Sequence, residues 1–329
     1  LGALSFPMKK IFITGGSGFI GGALITRLAK EHWVLGMARN PRASGKIKAL
    51  GGRPLACGLE AIEAGLLKEV DVIIHCAAYV EPWGRYDDFY HVNVEGTQRL
   101  LEMAKKAGVK RFIHVSTESV LFYGQDMIDI DENYPYPENS PFPYSDTKRL
   151  AEQLVLRANE PGKFETIALR PRMVWGAGDE TILANLIEMV DKGRFRWIDG
   201  GDYLTSTCHV ANFVEATVLA MDKGKGGEAY FIVDKETSVM REFLTDLLAT
   251  AGRVPASKNL PGKLVRMVAW CFEAVYKLFR IRQKPPVTRF SAAIMSSHCT
   301  IDSDKAFLDM GYRPVITVDE SMLQLKEKR

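Results

Sequence analysis

Short, almost uniformly apolar runs punctuate the first half of the chain: Lys10-Ile11-Phe12-Ile13, Trp33 to Ala38, Leu55-Ala56-Cys57, Val70 to Ala78, Arg111 to Ser116 and Thr166 to Arg170. Each reads as a strand. The intervals carry helical stretches, among them Ala23 to Ala29, Asn93 to Ala107 and the segment that follows Pro143. Strands that are apolar along their whole length are buried on both faces. Alternation of such strands with helices predicts an α/β fold, a doubly wound parallel sheet of the Rossmann type. The interval 124–143, rich in Asp, Glu, Asn, Tyr and Pro, reads as a long loop, and long ordered loops tend to carry function. From about Glu180 the alternation weakens. The pattern therefore divides the chain into a first domain, 8–179, and a smaller, mostly helical C-terminal lobe, 180–329, with segments that return to the first domain.

Within that lobe, Leu264, Val265, Val268, Phe272, Val275, Tyr276 and Phe279 fall on one helical stripe, with Lys263, Arg266, Lys277 and Arg280 off it. The charges rule against a membrane-spanning helix. Two compatible readings of 260–282 remain: a cover over an apolar substrate pocket, or a basic amphipathic helix lying on a membrane.

Two local patterns carry chemistry. Thr14-Gly15-Gly16-Ser17-Gly18-Phe19-Ile20-Gly21 stands between the first strand and the first helix, the order in which glycines bind a dinucleotide. Gly15 allows the tight turn, Gly18 lets backbone approach a pyrophosphate, and Gly21 permits close packing of helix on strand. The second pattern is Tyr144-Ser145-Asp146-Thr147-Lys148. On a helix, residues four apart share a face, so the Lys148 ammonium can lie beside the Tyr144 phenol, stabilise its ionised form and make it a proton donor and acceptor.

Composition narrows the class. With 329 residues, 47% hydrophobic and 25% charged, the chain can bury a large core. A net charge of +3, without a dense basic run, argues against nucleic acid as a partner. Cys57, Cys76, Cys208, Cys271 and Cys299 are scattered, so neither a disulfide framework nor a metal site is expected, and a reducing cytoplasm fits best. The opening Leu1 to Pro7 lacks a basic start and a sustained apolar segment, so it does not read as a signal peptide, and Met8 reads as the natural start. His75 and His114 sit within buried-strand patterns as core residues, His209 reads as the start of a helix, and His32, His91 and His298 lack metal-ligand spacing.

These motifs, taken in order, resemble the extended short-chain dehydrogenase/reductases, over nearly the whole length from Lys9 to about Leu325. The carriers are the three glycines, His75-Cys76-Ala77-Ala78, Asn93-Val94-Glu95-Gly96-Thr97, Val115 to Val120, the tyrosine and lysine, and Arg170 to Gly176. Pro82-Trp83-Gly84, Leu169 to Asp179 and Lys284 to Phe290 are similar to the 3β-hydroxysteroid dehydrogenase branch, and especially to bacterial reductases of long-chain 2-alkyl-3-oxoalkanoates. The resemblance implies a hydride transfer at a carbinol or carbonyl carbon with Tyr144 exchanging the proton. It implies Lys148 bonded to the nicotinamide ribose, Thr117 holding the substrate oxygen, with Ser116 or Ser119 as rivals, and Asn93 either orienting the site or only satisfying backbone amides. Contacts to the cofactor would come from Gly15, Ser17, Gly18, Phe19, Ile20, Gly21, Arg39, Ala77, Ala78, Tyr144, Lys148, Pro171 and Val174. No acidic residue follows the second strand. Ala38-Arg39 stands there instead, which points to NADP, with NAD admitted and Arg42 as an alternative grip on a 2′-phosphate. The family's aspartate after the third strand is also missing: Cys57-Gly58-Leu59 takes its place. A homodimer is compatible with this reading.

The leading expectation is an NADP-dependent oxidoreductase acting on a 3-hydroxy or 3-oxo group of a bulky apolar molecule, a sterol or a long-chain 3-oxoacid. A nucleotide-sugar epimerase or dehydratase on the same scaffold is the alternative, kept open by Arg172, Arg194 and Arg241. A non-catalytic dinucleotide sensor is the third, disfavoured by Thr117, Tyr144 and Lys148 occurring together.

Overall fold

The structure, a computed structural model, describes residues 8–281 and 283–327. The stretch before Met8, Arg282 at the end of the 260–282 segment, and the last two residues lie outside the described residues. Seven parallel strands form the main sheet: β1 (Lys10–Thr14), β2 (Trp33–Ala38), β3 (Arg53–Ala56), β4 (Val72–His75), β5 (Arg111–Val115), β6 (Glu165–Pro171) and β7 (Ala229–Ile232). Their spatial order is β7-β6-β5-β4-β1-β2-β3, which reverses direction at β1 and β4. A crevice opens at such a reversal, beyond the carboxyl ends of the strands.

Side chains alternate across the sheet, so each strand feeds two cores. Ile11, Ile13, Ile74 and Ile113 pack with Leu24 and Ile25 of helix α1 (Phe19–Leu28) and with residues such as Phe213 and Ala220 of a later helix. Phe12, Ile73 and Phe112 pack on the other face with Leu100 and Ala104 of α3 (Gly96–Ala107) and Val155 of α4 (Pro143–Arg157). A short α2 (Pro41–Ala49) follows β2. Two elements beyond residue 180 belong to this layer: α5 (Val210–Lys223), which supplies Phe213 and Ala220, and β7, which pairs with β6.

The smaller lobe has its own core around Trp175, Leu186, Phe195, Trp197, Phe243 and Leu247. It also holds a four-stranded sheet in which Met127–Ile130, from the polar stretch expected to be a loop, pairs with Cys299–Ile301. Met127 and Ile130 are its buried positions, and the intervening Ile128 and Asp129 are exposed. Among the described residues no helix is long and apolar enough to cross a membrane.

Helix α6 (Gly262–Leu278) departs from the expected single covered stripe. It packs through a narrow seam of Val265, Ala269 and Glu273, with Ala269 and Val265 meeting Ala292 of the next short helix. Val268, Phe272 and Tyr276 flank the seam half-buried, while Leu264, Met267, Trp270, Val275 and Leu278 face solvent, joined by Phe279 just past the helix end. The physical reason is the small size of Ala269 and Ala292: they bring the two helices close along one line and leave the wide side chains on either side uncovered.

Candidate active site

The turn from β1 into α1 is built from backbone. Gly15 has φ +67, and a Cβ there would lie 2.9 Å from Ala77 N, so the turn can rest directly on the end of β4. A Cβ on Gly21 would overlap Gly15 O and come 2.9 Å from Gly16 Cα, so any side chain would push α1 off the turn. Helix α1 begins at Gly18 with no side-chain cap and no acidic residue in its first turn. Its free N–H groups and dipole therefore point at open space, an arrangement that suits a pyrophosphate.

That space is an open cleft of about 1180 Å³ lined by Gly15, Ser17, Gly18, Phe19, Ile20, Gly21, Arg39, Ala77, Ala78 and Val174. Of the residues expected at the cofactor, Pro171, Tyr144 and Lys148 do not line it. Pro171 is buried at the end of β6, opposite Ile232. Arg39 is exposed at the rim, and Arg42 does not line the cleft. Beside Arg39, Asn40 accepts from Ala43 N at 2.9 Å and caps α2. Glu60 and Lys284 also line the cleft, and the sequence reading had assigned neither. A Cβ on Gly58 would overlap the Glu60 carboxylate, so an acceptor stands in the space that the missing aspartate side chain would fill. A carboxylate two residues past an aspartate-less turn was the available signal.

Pro143 occupies the first turn of α4 with the fixed φ that helices accept there, and it sets Tyr144 and Lys148 on one inward face. Lys148 is buried and donates to Val115 O at 2.7 Å and to His114 Nε2 at 3.1 Å. Burial lowers its ammonium to about 8, against the raising effects of Glu152 and Cys76. The Tyr144 phenol moves the other way. Burial and then the negative charge of Glu118 push it above the ordinary tyrosine range, and only a hydrogen bond to Thr117 opposes them. The expected depression of the phenol by Lys148 is thus corrected: the strand end and His114 take the ammonium, and Glu118 dominates the local field at the phenol.

Thr117 leaves β5 in extended conformation and caps the short helical turn Glu118–Leu121, accepting from Ser119 N at 3.2 Å. Its hydroxyl donates to Glu118 Oε2 at 2.7 Å. Ser116 Oγ is buried and has no hydrogen-bond partner among the described residues, and Ser119 Oγ donates to Glu118 Oε1 at 3.3 Å. Asn93 accepts from Tyr79 N at 2.7 Å and donates to Tyr79 O at 3.2 Å and Thr147 Oγ1 at 3.0 Å. It fastens the loop after β4 to α4, with its amide fully engaged. It sits in a widened helical turn, His91–Glu95, that precedes α3.

His75 and His114 are core residues as expected. His75 lies between Thr14 Oγ1 (2.7 Å) and Thr97 Oγ1 (2.9 Å), and burial lowers it to about 3. His209 caps α5 by accepting from Ala211 N at 3.3 Å. Among the described residues no group of three or more His, Cys, Asp or Glu side chains converges.

Tyr144 lines a second, tight cavity of about 30 Å³ with Trp83, Phe89, Phe142 and Phe290, and with Glu81, Glu273 and Lys277 at its polar side. Phe290 stands edge-on to Tyr144 with centroids 5.8 Å apart, and Trp83 to Tyr276 of α6 at 6.1 Å. An aromatic-walled cavity thus abuts the open cleft, the two sharing Glu81 and Pro82.

The sequence of residues 12–261 matches the model of the 3-beta hydroxysteroid dehydrogenase/isomerase family. The chain belongs to that family. It is therefore a dehydrogenase/reductase that uses a nicotinamide dinucleotide, for which the cleft above is the fitting site. A relative from Stigmatella aurantiaca, a 4-hydroxy-2-methyl-3-oxo-4-farnesyl-3,4-dihydroquinoline-1-oxide ketoreductase, is 39% identical over 97% of this chain and 96% of its own. The 2-alkyl-3-oxoalkanoate reductase of Stenotrophomonas maltophilia is 33% identical over 96% and 98%. Among solved structures, that of gox2253 superposes with a TM-score of 0.77 at 26% identity, covering 97% of this chain and 98% of that one. The UDP-glucuronic acid 4-epimerase of Bacillus cereus shares the family's fold at a TM-score of 0.74 and 21% identity, covering 97% and 99%.

Proposed function

We propose that this member of the family is an NADP-dependent reductase of a 3-oxo group on a bulky apolar molecule, a sterol or a long-chain 3-oxoacid, with Tyr144 as proton donor. The observation that carries the reading is the Tyr144 phenol, beside the Thr117 hydroxyl, at an aromatic-walled cavity next to the dinucleotide cleft. When bound, the reduced cofactor supplies a hydride to the carbonyl carbon. Tyr144 supplies the proton to the oxygen, and the product is the 3-alcohol. Thr117 holds that oxygen. Lys148, fixed by Val115 O and His114, stands ready to return the proton and to hold the ribose. Arg39, exposed at the cleft rim with no acidic residue beside it, would grip a 2′-phosphate.

The substrate class rests on the cavity walls and on the relatives' names, a farnesyl quinoline ketoreductase and a 2-alkyl-3-oxoalkanoate reductase. At about 30 Å³ the cavity admits no alkyl chain as it stands, so Trp83, Phe290 and α6 must part to admit one. The exposed apolar face of α6 fits a lipid surface from which such a substrate arrives: Trp270, Leu278 and Phe279 are 58, 76 and 69% exposed, beside the exposed cations Lys277 and Arg280. The nucleotide-sugar alternative needs free cations for a diphosphate. Arg172 is instead bonded to Glu118 and Thr205, and Arg241 to Gly200 O while lying over Trp197, whereas Arg194 stands exposed after the helix Ile182–Asp191. Consumption of reduced cofactor against a panel of sterol ketones, long-chain 3-oxoacids, short ketones and nucleotide sugars tests the reading. Turnover of a nucleotide sugar alone would overturn it.

A further inference from the structure

Two histidines lie buried side by side beneath the site, their ring centroids 5.3 Å apart, and their hydrogen bonds differ. Thr97 spends its one hydroxyl proton on Asn93 O at 2.6 Å, so it accepts from His75 Nε2 at 2.9 Å. His75 Nδ1 is then the acceptor for Thr14 Oγ1 at 2.7 Å. Both nitrogens of His75 are thus bonded to the fold, as a purely structural histidine requires. His114 is bonded at one nitrogen only. Its Nε2 lies 3.1 Å from Lys148 Nζ, and its Nδ1 is buried with no hydrogen-bond partner among the described residues. An ammonium has no lone pair to offer, so Nε2 accepts and the ring proton sits on the stranded Nδ1. Burial first, and then Lys148 and His75, hold the ring well below the ordinary histidine value, so it stays a neutral acceptor. A stranded N–H is a cost to folding that an apolar side chain at the same place would avoid.

We propose that His114 is a positioning residue whose one task is Lys148: its Nε2 and Val115 O take two of the three ammonium N–H bonds and leave the third for the ribose hydroxyls of the dinucleotide. The proposal rests on Lys148 holding the ribose, and it adds the residue that sets the place and the charge of that group. Burial already lowers the ammonium to about 8. Without an acceptor at Nε2 it would keep that burial and lose a bond that favours the charged form, so it would fall further. The other titratable groups around Lys148 are accounted for. On α4, Glu152 is bonded to Arg170 and Tyr136 and supports the ammonium, Asp146 is paired with Arg149, and the Tyr144 phenol is raised and neutral. On β4 and just past it, burial lowers His75 to about 3 and raises the Cys76 thiol to about 12, so both are neutral. Past β5, Glu118 is paired with Arg172, and on the turn before α3 His91 pairs with Glu95 at the surface.

The test is the affinity of the intact chain for NADPH, measured by calorimetry from about pH 6 to about pH 10 with no substrate present. In the parent, affinity should fall as pH rises through a step near 8, and that step should be missing in Lys148→Met. In His114→Leu the step should move down by at least about one pH unit, a tenfold loss of proton affinity. In His114→Gln, whose amide oxygen offers an acceptor in place of Nε2, it should stay within about half a unit of the parent's. A ring that only fills space would leave the leucine variant with the parent's step. An unmoved step in His114→Leu would therefore overturn the proposal, as would a step in His114→Gln that falls as far as in His114→Leu. Should the leucine variant not fold, NMR of the ring nitrogens in the parent at pH 7 decides: His114 should carry its proton on Nδ1 and His75 on Nε2, and a proton on His114 Nε2 would overturn the proposal. Lys148→Met binding NADPH as tightly as the parent would instead overturn the ribose contact, and the proposal with it. The assignment of Tyr144 as donor is read separately, from the turnover of Tyr144→Phe.

Discussion

Replacing Lys148 by methionine should remove a stability penalty that depends on pH. Burial lowers the Lys148 ammonium from 10.5 to about 8 in the folded chain. The unfolded chain keeps its ammonium protonated up to about 10.4. Between those values the unfolded state therefore holds a proton that the folded state has released, and folding becomes more favourable as pH rises through the window. Below pH 8 both states are charged and the whole penalty stands. The interval from about 8 to 10.5 corresponds to about 3 kcal/mol at 1.36 kcal/mol per pH unit. Methionine fills a similar volume and does not titrate. It leaves Val115 O and His114 Nε2 without their donor, which costs about 1–3 kcal/mol at every pH and so does not alter the slope. Urea unfolding of cofactor-free parent and Lys148→Met at pH 7, 8, 9 and 10 should then show the parent gaining on the variant by up to about 3 kcal/mol over that range. A difference that stays flat with pH would refute the reasoning: the ammonium would be solvated or compensated in the folded protein.

Arg39→Ala should erode the preference for NADP over NAD by about 1.5–3 kcal/mol in calorimetry, the range for a charged hydrogen bond, and leave NAD affinity unchanged; equal affinities in the parent would show the arginine to be merely solvated. Trp270→Glu with Leu278→Glu should abolish co-sedimentation with vesicles containing anionic lipid while leaving turnover of a short water-soluble ketone intact. Unchanged co-sedimentation would remove α6 from the membrane contact.

Much of the doubly wound layer was legible because its information is local. Runs such as Ile11 to Ile13 and Val72 to His75 are apolar without interruption, and the glycines between β1 and α1 have one physical use in that order. Tyr144 and Lys148 were legible as a helical pair, since Pro143 starts the helix. What the spacing could not convey is where each polar end finds its partner. Lys148 turns to His114 because β5 ends beside it, and Glu118 meets Arg172 across 54 residues of chain. The strand Met127–Ile130 was hidden for a related reason: half of it is exposed, and its partner Cys299–Ile301 lies far along the sequence. In α6 the apolar residues exceed what one face can bury, so periodicity alone could not separate Val265 and Ala269, which pack, from Leu264 and Trp270, which do not.

The central claim is that Tyr144 donates the proton, and turnover of Tyr144→Phe tests it most directly. The substitution deletes one oxygen from a ring still packed on Phe290, so the fold and cofactor affinity should persist. With a 3-oxo substrate that the parent reduces, kcat should fall by about a hundred- to ten-thousand-fold, the usual worth of a general acid, with the dissociation constant for NADP nearly unchanged. Turnover within a factor of a few of the parent would contradict the account.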